Sequence, residues 1–78
     1  MTHFREITIY GRADCVQCKA TKTKAEELGL TVHYVDLDEH PDMAHQLRME
    51  GFRSIPVVKA GEHRWAGYRP DYLQDIAK

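Results

Sequence analysis

Polar and apolar residues alternate over Glu6-Ile7-Thr8-Ile9-Tyr10, with β-branched Ile7, Thr8 and Ile9 at the centre, and this predicts a first strand that Gly11 breaks. From Val16 to Leu28 the residues favour a helix, and Cys18, Thr21, Ala25 and Leu28 fall on one helical face. Gly29 is placed to end that helix as a left-handed cap. Alternation returns from Thr31 to Leu37, with Val32, Tyr34 and Asp36 on one side of a second strand and His33, Val35 and Leu37 on the other. Pro41 suits the first turn of a second helix, Asp42 sits near its positive end, Met43, Ala44 and Leu47 form its apolar stripe, and Gly51 stops it. The apolar run Ile55-Pro56-Val57-Val58 continues to Lys59 as a third strand. Ala60-Gly61-Glu62 turns the chain, and His63-Arg64-Trp65-Ala66 returns as a fourth. Gly67 breaks again, and Pro70 opens a last helix with Tyr72, Leu73 and Ile76 on its apolar side. The order is β-α-β-α-β-β-α. A β-α-β start joins parallel strands by a right-handed crossover, while a closing hairpin is antiparallel. The expected fold is therefore α/β, one four-stranded mixed sheet with three helices spread over both faces.

At 78 residues the chain has room for a single domain, 1–78, near the size at which cores become marginal. With 42% hydrophobic and 29% charged residues and no repeat or low-complexity tract, disorder is excluded. The first ten residues include Arg5 and Glu6 and lack an apolar core, so they read neither as a signal peptide nor as a membrane span; the expected location is the cytoplasm. A net charge of −1 offers no basic face for phosphates, which argues against nucleic-acid binding.

Both cysteines lie in the stretch DCVQC, Cys15 and Cys18. A structural disulfide gains leverage from the length of chain it closes, and so small a ring closes almost none. In a reducing compartment a lone Cys-x-x-Cys serves instead as a redox couple or as half of a metal site. Cys15 falls near the start of the first helix, where unpartnered N–H groups and the positive end of the helix dipole stabilise a thiolate. Cys18 shares the inward face with Thr21 and Ala25. The expectation is thus Cys15 as nucleophile and Cys18 as resolving thiol. Asp14 reads first as a loop residue turned to water; if it approaches Cys15 it opposes a charge there, and Arg12 and Lys19 offset it. Lys19, Lys22 and Lys24, on the outer part of the helix, read first as a solvated face and second as a steering patch for an acidic partner. The rival is zinc, with His40 and His45 completing a Cys₂His₂ set. The long gap from Cys18 to His40 holds a whole helix and strand and departs from finger spacing, so His3, His33, His40, His45 and His63 read as surface residues.

A Cys-x-x-Cys after the first strand, with Ile55-Pro56 before the third, resembles the thioredoxin superfamily. That resemblance implies a thioredoxin-like fold, a cis Ile55–Pro56 bond beside the cysteine pair, and a backbone edge at Ile55 for an extended client segment. The segments CVQCKATK, GFRSIPVV and WAGYRPD further resemble the NrdH-redoxin family, nearly along the whole chain. This implies a thiol–disulfide oxidoreductase that donates electrons to the C-terminal tail of the class Ib ribonucleotide reductase large subunit. Thioredoxin reductase would recharge it, with NADPH and FAD belonging to that partner and no cofactor of its own. It also implies a monomer whose client-binding residues are Ile55, Pro56, Trp65, Gly67 and Arg69. Val16 and Gln17 between the cysteines, and Ala66-Gly67-Tyr68-Arg69-Pro70-Asp71 in place of a double glycine, depart from the glutathione-binding pattern of glutaredoxins. A glutathione-linked glutaredoxin is the alternative within the class. Trp65 reads from its residue type as a packing residue, and the 66–71 segment as a Gly turn leading into a Pro-started helix.

Overall fold

The computed structural model describes residues 5–78, so His3 lies outside the described residues. The chain runs β1 (Glu6–Gly11), α1 (Val16–Glu27), β2 (Thr31–Asp36), α2 (Pro41–Met49), β3 (Val57–Ala60), β4 (His63–Ala66) and α3 (Pro70–Ala77). The sheet order is β2-β1-β3-β4, with β1 and β2 parallel and the other neighbours antiparallel. This is the expected thioredoxin-like, mixed four-stranded α/β arrangement.

Several boundaries differ from the sequence reading, α1 ending at Glu27 and β2 at Asp36 among them. Gly11 does not break β1 but closes it, paired with Asp36. β3 starts at Val57 and not at Ile55, because Pro56 has no N–H to give to a ladder. Ala60 stays in the strand, which shortens the hairpin loop to Gly61-Glu62.

Pairing registers align one row of side chains across each sheet face. Tyr34, Ile9, Val58 and Trp65 are consecutive partners on one face, where Ala25 and Leu28 of the α1 end and Leu73, Ile76 and Ala77 of α3 cover them. Val35, Tyr10, Val57 and Ala66 form the row on the other face, covered by Met43, Ala44 and Leu47 of α2. The two-residue period of the strand thus divides the core into two layers.

Both long helices end in the same device. Gly29, at φ +82, donates its N–H to the Glu26 carbonyl at 3.0 Å while Leu30 N–H reaches the Ala25 carbonyl at 3.0 Å. Only a residue free of a Cβ takes that backbone angle cheaply, and the two bonds satisfy carbonyls the helix leaves open. Gly51 and Phe52 repeat the pair on Arg48 and Leu47. Glu50, beside this second cap, binds Lys59 at 3.0 Å and Arg64 at 3.3 Å, tying the end of α2 to the hairpin.

Candidate active site

Cys15 is the N-cap of α1, with φ −98 and ψ 114, and its sulfur accepts the Cys18 N–H at 3.2 Å. The Cys15 N–H reaches the Arg12 carbonyl at 3.4 Å. The first turn of α1 carries no acidic residue, so nothing there opposes the pull of the helix N-terminus on the Cys15 sulfur. Cys15 is half-buried whereas Cys18 is fully buried, and the two are joined as a disulfide with Cα atoms 5.2 Å apart. The unequal environments expected of the pair are present. Behind Cys18, the buried Thr21 satisfies its hydroxyl within the helix by donating to the Gln17 carbonyl at 2.7 Å.

Asp14 is exposed in the turn before Cys15. Arg12 is engaged by Asp38 at 3.2 Å, so its charge is shared with that carboxylate and not directed at Asp14. Lys19 and Lys22 are exposed and Lys24 is half-buried. Among the described residues no group of three or more His, Cys, Asp or Glu is placed to hold a metal ion, and His40 and His45 are exposed.

Sequence reasoning missed Gly11. It is buried, and a Cβ built on it would stand 2.6 Å from Cys18 Sγ and 2.7 Å from the Tyr34 hydroxyl. Cys18 therefore packs directly against the β1 backbone, and a glycine is needed for closeness rather than for a turn. A Gly11→Ala substitution is expected to lower stability by about 1–3 kcal/mol through overpacking, read from the urea midpoint. Unchanged stability would mean that the cysteine pair yields freely.

The Ile55–Pro56 bond is cis, as expected. Pro56 is buried, and its carbonyl accepts the Gly67 N–H at 2.7 Å. A Cβ on Gly67 would lie 4.0 Å from Gln17 Oε1, so the 66–71 segment stands beside the turn that holds the cysteines. Ile55 packs at the edge of the α2-side core. An open cleft of about 540 Å³ runs from Arg12 and Ile55 past Phe52 and Arg53 to Leu47 and Arg48 of α2. Arg69 pairs with Asp71 through two hydrogen bonds, 3.2 and 2.9 Å, and its guanidinium lies 4.0 Å from the Tyr72 ring centre. That bond holds the Asp71 carboxyl below its ordinary carboxylate value.

Trp65 is 8% exposed, packs edge-on to Tyr72 at 5.1 Å and belongs to the core, as its residue type led us to expect. Its place in the β4 alternation turns it toward the helices. Its indole Nε1 is buried with no hydrogen-bond partner among the described residues.

The sequence pattern of the glutaredoxin family matches residues 7–65. The glutaredoxin-like protein NrdH of Escherichia coli (strain K12) is 49% identical over 70 residues, spanning 90% of this chain and 86% of that protein. The chain belongs to the NrdH group of the glutaredoxin family. It is a thiol–disulfide oxidoreductase with Cys15 and Cys18 as its redox-active pair. The solved NrdH-redoxin of Escherichia coli, described as having a thioredoxin-like activity profile, superposes on this redoxin with a TM-score of 0.87 at 47% identity, covering 90% of this chain and 92% of that one. A glutaredoxin of Archaeoglobus fulgidus shares the fold, with a TM-score of 0.79 at 23% identity over 92% of this chain and 85% of its own. No helix among the described residues of the redoxin is long and apolar enough to cross a membrane.

Proposed function

We propose that this redoxin is a cytoplasmic, monomeric electron carrier that reduces a cysteine pair on the C-terminal tail of a class Ib ribonucleotide reductase and is recharged by thioredoxin reductase. The observation that carries this reading is the pairing of a half-buried sulfur at a helix N-terminus with a fully buried one a turn later. Such a pair can run a complete cycle. Cys15 as thiolate attacks one sulfur of the client disulfide, and the other client sulfur leaves with the electron pair and takes a proton from water. Cys18, as thiolate, then attacks Cys15, the bond from Cys15 to the client breaks, and the client's second sulfur leaves reduced. Two electrons have moved, and the redoxin holds its own disulfide, ready for NADPH-derived electrons from the flavin of the reductase. No cofactor of its own enters these steps.

An extended tail would pair with the backbone at Ile55 and Pro56, with Gly67 and Arg69 bounding the site on the α3 side. The cleft beside Ile55 supports this, since it combines an apolar floor with Arg48 and Arg53 at its margin. The segment Ala66-Gly67-Tyr68-Arg69-Pro70-Asp71 stands where glutathione-binding glutaredoxins carry a double glycine, and Val16 and Gln17 separate the cysteines, which favours thioredoxin reductase over glutathione as the electron source.

The oxidised protein should be reduced rapidly by NADPH with thioredoxin reductase and only at background rate by glutathione with glutathione reductase, followed by NADPH absorbance. Rapid reduction by the glutathione system alone would overturn the assignment. Stoichiometric zinc on both thiols of freshly purified protein would favour the metal-binding alternative.

A further inference from the structure

Cys18 has no access to water, so when it must act as a thiolate the charge has no solvent to stabilise it. The group that stands beside it is Tyr34. Its hydroxyl and Cys18 Sγ both lie within 2.7 Å of the single point that a Cβ on Gly11 would occupy. Gly11 leaves that space open, and the tyrosine, carried by β2 opposite Ile9, reaches across β1 to fill it. In the disulfide form the hydroxyl donates to the Arg12 carbonyl at 2.9 Å, and the same carbonyl also accepts the Cys15 N–H. If the hydroxyl turns away, that carbonyl keeps a partner.

We propose that Tyr34 is a positioning residue for the second step of the cycle, its hydroxyl hydrogen-bonding the buried Cys18 sulfur once the disulfide opens and holding the thiolate ready to attack Cys15. As a thiol, Cys18 donates its S–H to the Tyr34 oxygen while the hydroxyl proton stays on the Arg12 carbonyl. When Cys18 gives its proton to solvent, the hydroxyl proton rotates onto the sulfur. The bond to a charged acceptor is the stronger of the two, so the exchange favours the thiolate. Attack then forms the Cys15–Cys18 bond and releases the client sulfur, and Tyr34 returns to Arg12 unchanged. Burial and the nearby Asp36 carboxylate keep the phenol above its ordinary value, so it remains a protonated donor. The charged groups around the pair are Asp36 on β2, Lys22 of α1 at 5.9 Å from the Tyr34 ring centre, and Arg12 with its partner Asp38 in the flanking loops; β1 presents the uncharged Ile7, Ile9 and Gly11 to this face.

This inference rests on Cys18 being the resolving thiol, which trapping experiments test separately; titration of Cys18 reads the hydrogen bond whichever thiol attacks first. In a Cys15→Ser background, thiolate absorbance should show the Cys18 pKa raised by about one unit on Tyr34→Phe, a tenfold loss of thiolate at a given lower pH. In the two-cysteine protein, the same substitution should slow resolution of a preformed mixed disulfide about tenfold near neutral pH while Cys15 alkylation changes by less than about twofold. An unmoved Cys18 titration overturns the proposal, and so does an equal loss in Cys15 alkylation, which would make Tyr34 a loop anchor only. Should the variants not fold, the infrared S–H band of Cys18 in the reduced parent protein decides it. A band shifted from the free-thiol position supports the hydrogen bond, and a free-thiol band overturns it.

Discussion

Replacement of Cys15 by Ser is expected to reduce disulfide-reductase turnover by about 10³-fold or more, to the rate of the reductant alone, because a serine hydroxyl does not ionise near neutral pH and forms no mixed disulfide. Cys18→Ser should behave differently. It leaves the Cys15 sulfur at the helix N-terminus, so the first attack proceeds and the client remains attached. The measurement is a client-linked adduct that reductant dissolves, collected on a nonreducing gel and located by mass. The adduct should form through Cys15 in Cys18→Ser and be absent from Cys15→Ser. The asymmetry follows from position, since the exposed face of the pair belongs to Cys15 and Cys18 is packed against Gly11. Adducts that form through Cys18 in Cys15→Ser, and not through Cys15 in the other variant, would reverse the roles.

The second large effect is on stability. Leu73→Ala is expected to cost about 2–5 kcal/mol, the usual range for emptying a buried leucine site. A domain of this size has about 4–12 kcal/mol in total, so much of the stability is at stake and the Tm should fall by more than about 10 °C. Leu73 has no exposure and fixes α3 to the layer of Ile7, Ile9, Val58 and Trp65. At eight residues α3 cannot hold itself together in water, so its order depends on this contact. Exposed Met49 is the control, and its change to Ala should stay within about 0.5 kcal/mol. A Leu73→Ala cost below about 1 kcal/mol in urea unfolding would show that α3 lies outside the cooperative core.

The readings that succeeded were those in which neighbours in sequence are neighbours in space. Gly29 and Gly51 end their helices because the bonds involved join residues only three to five apart. Cys15 takes the N-cap and Cys18 the inward face because one helical turn separates them. α1 was also read correctly although its buried face is made of Cys18, Thr21 and Ala25, none of them large, because the spacing and not the bulk carries the signal. Gly11 was misread for the opposite reason. The local pattern shows a glycine after a strand, which is an ordinary stop, and the atoms that require it arrive from α1 and from β2, seven and 23 positions along the chain. For Trp65 the residue type pointed to packing, but the side toward which a four-residue edge strand turns its large ring depends on the register with Val58.

The sequence by itself determined the element order, the helix ends and the placement of two sulfurs one turn apart, because backbone sterics, dipole and periodicity act over a few residues. Tertiary structure alone decided the strand order β2-β1-β3-β4, the covering of one face by α1 and α3 and the other by α2, and the meeting of Gly11, Cys18 and Tyr34. Those depend on which apolar faces exclude water from one another, and such burial joins residues that no local pattern relates.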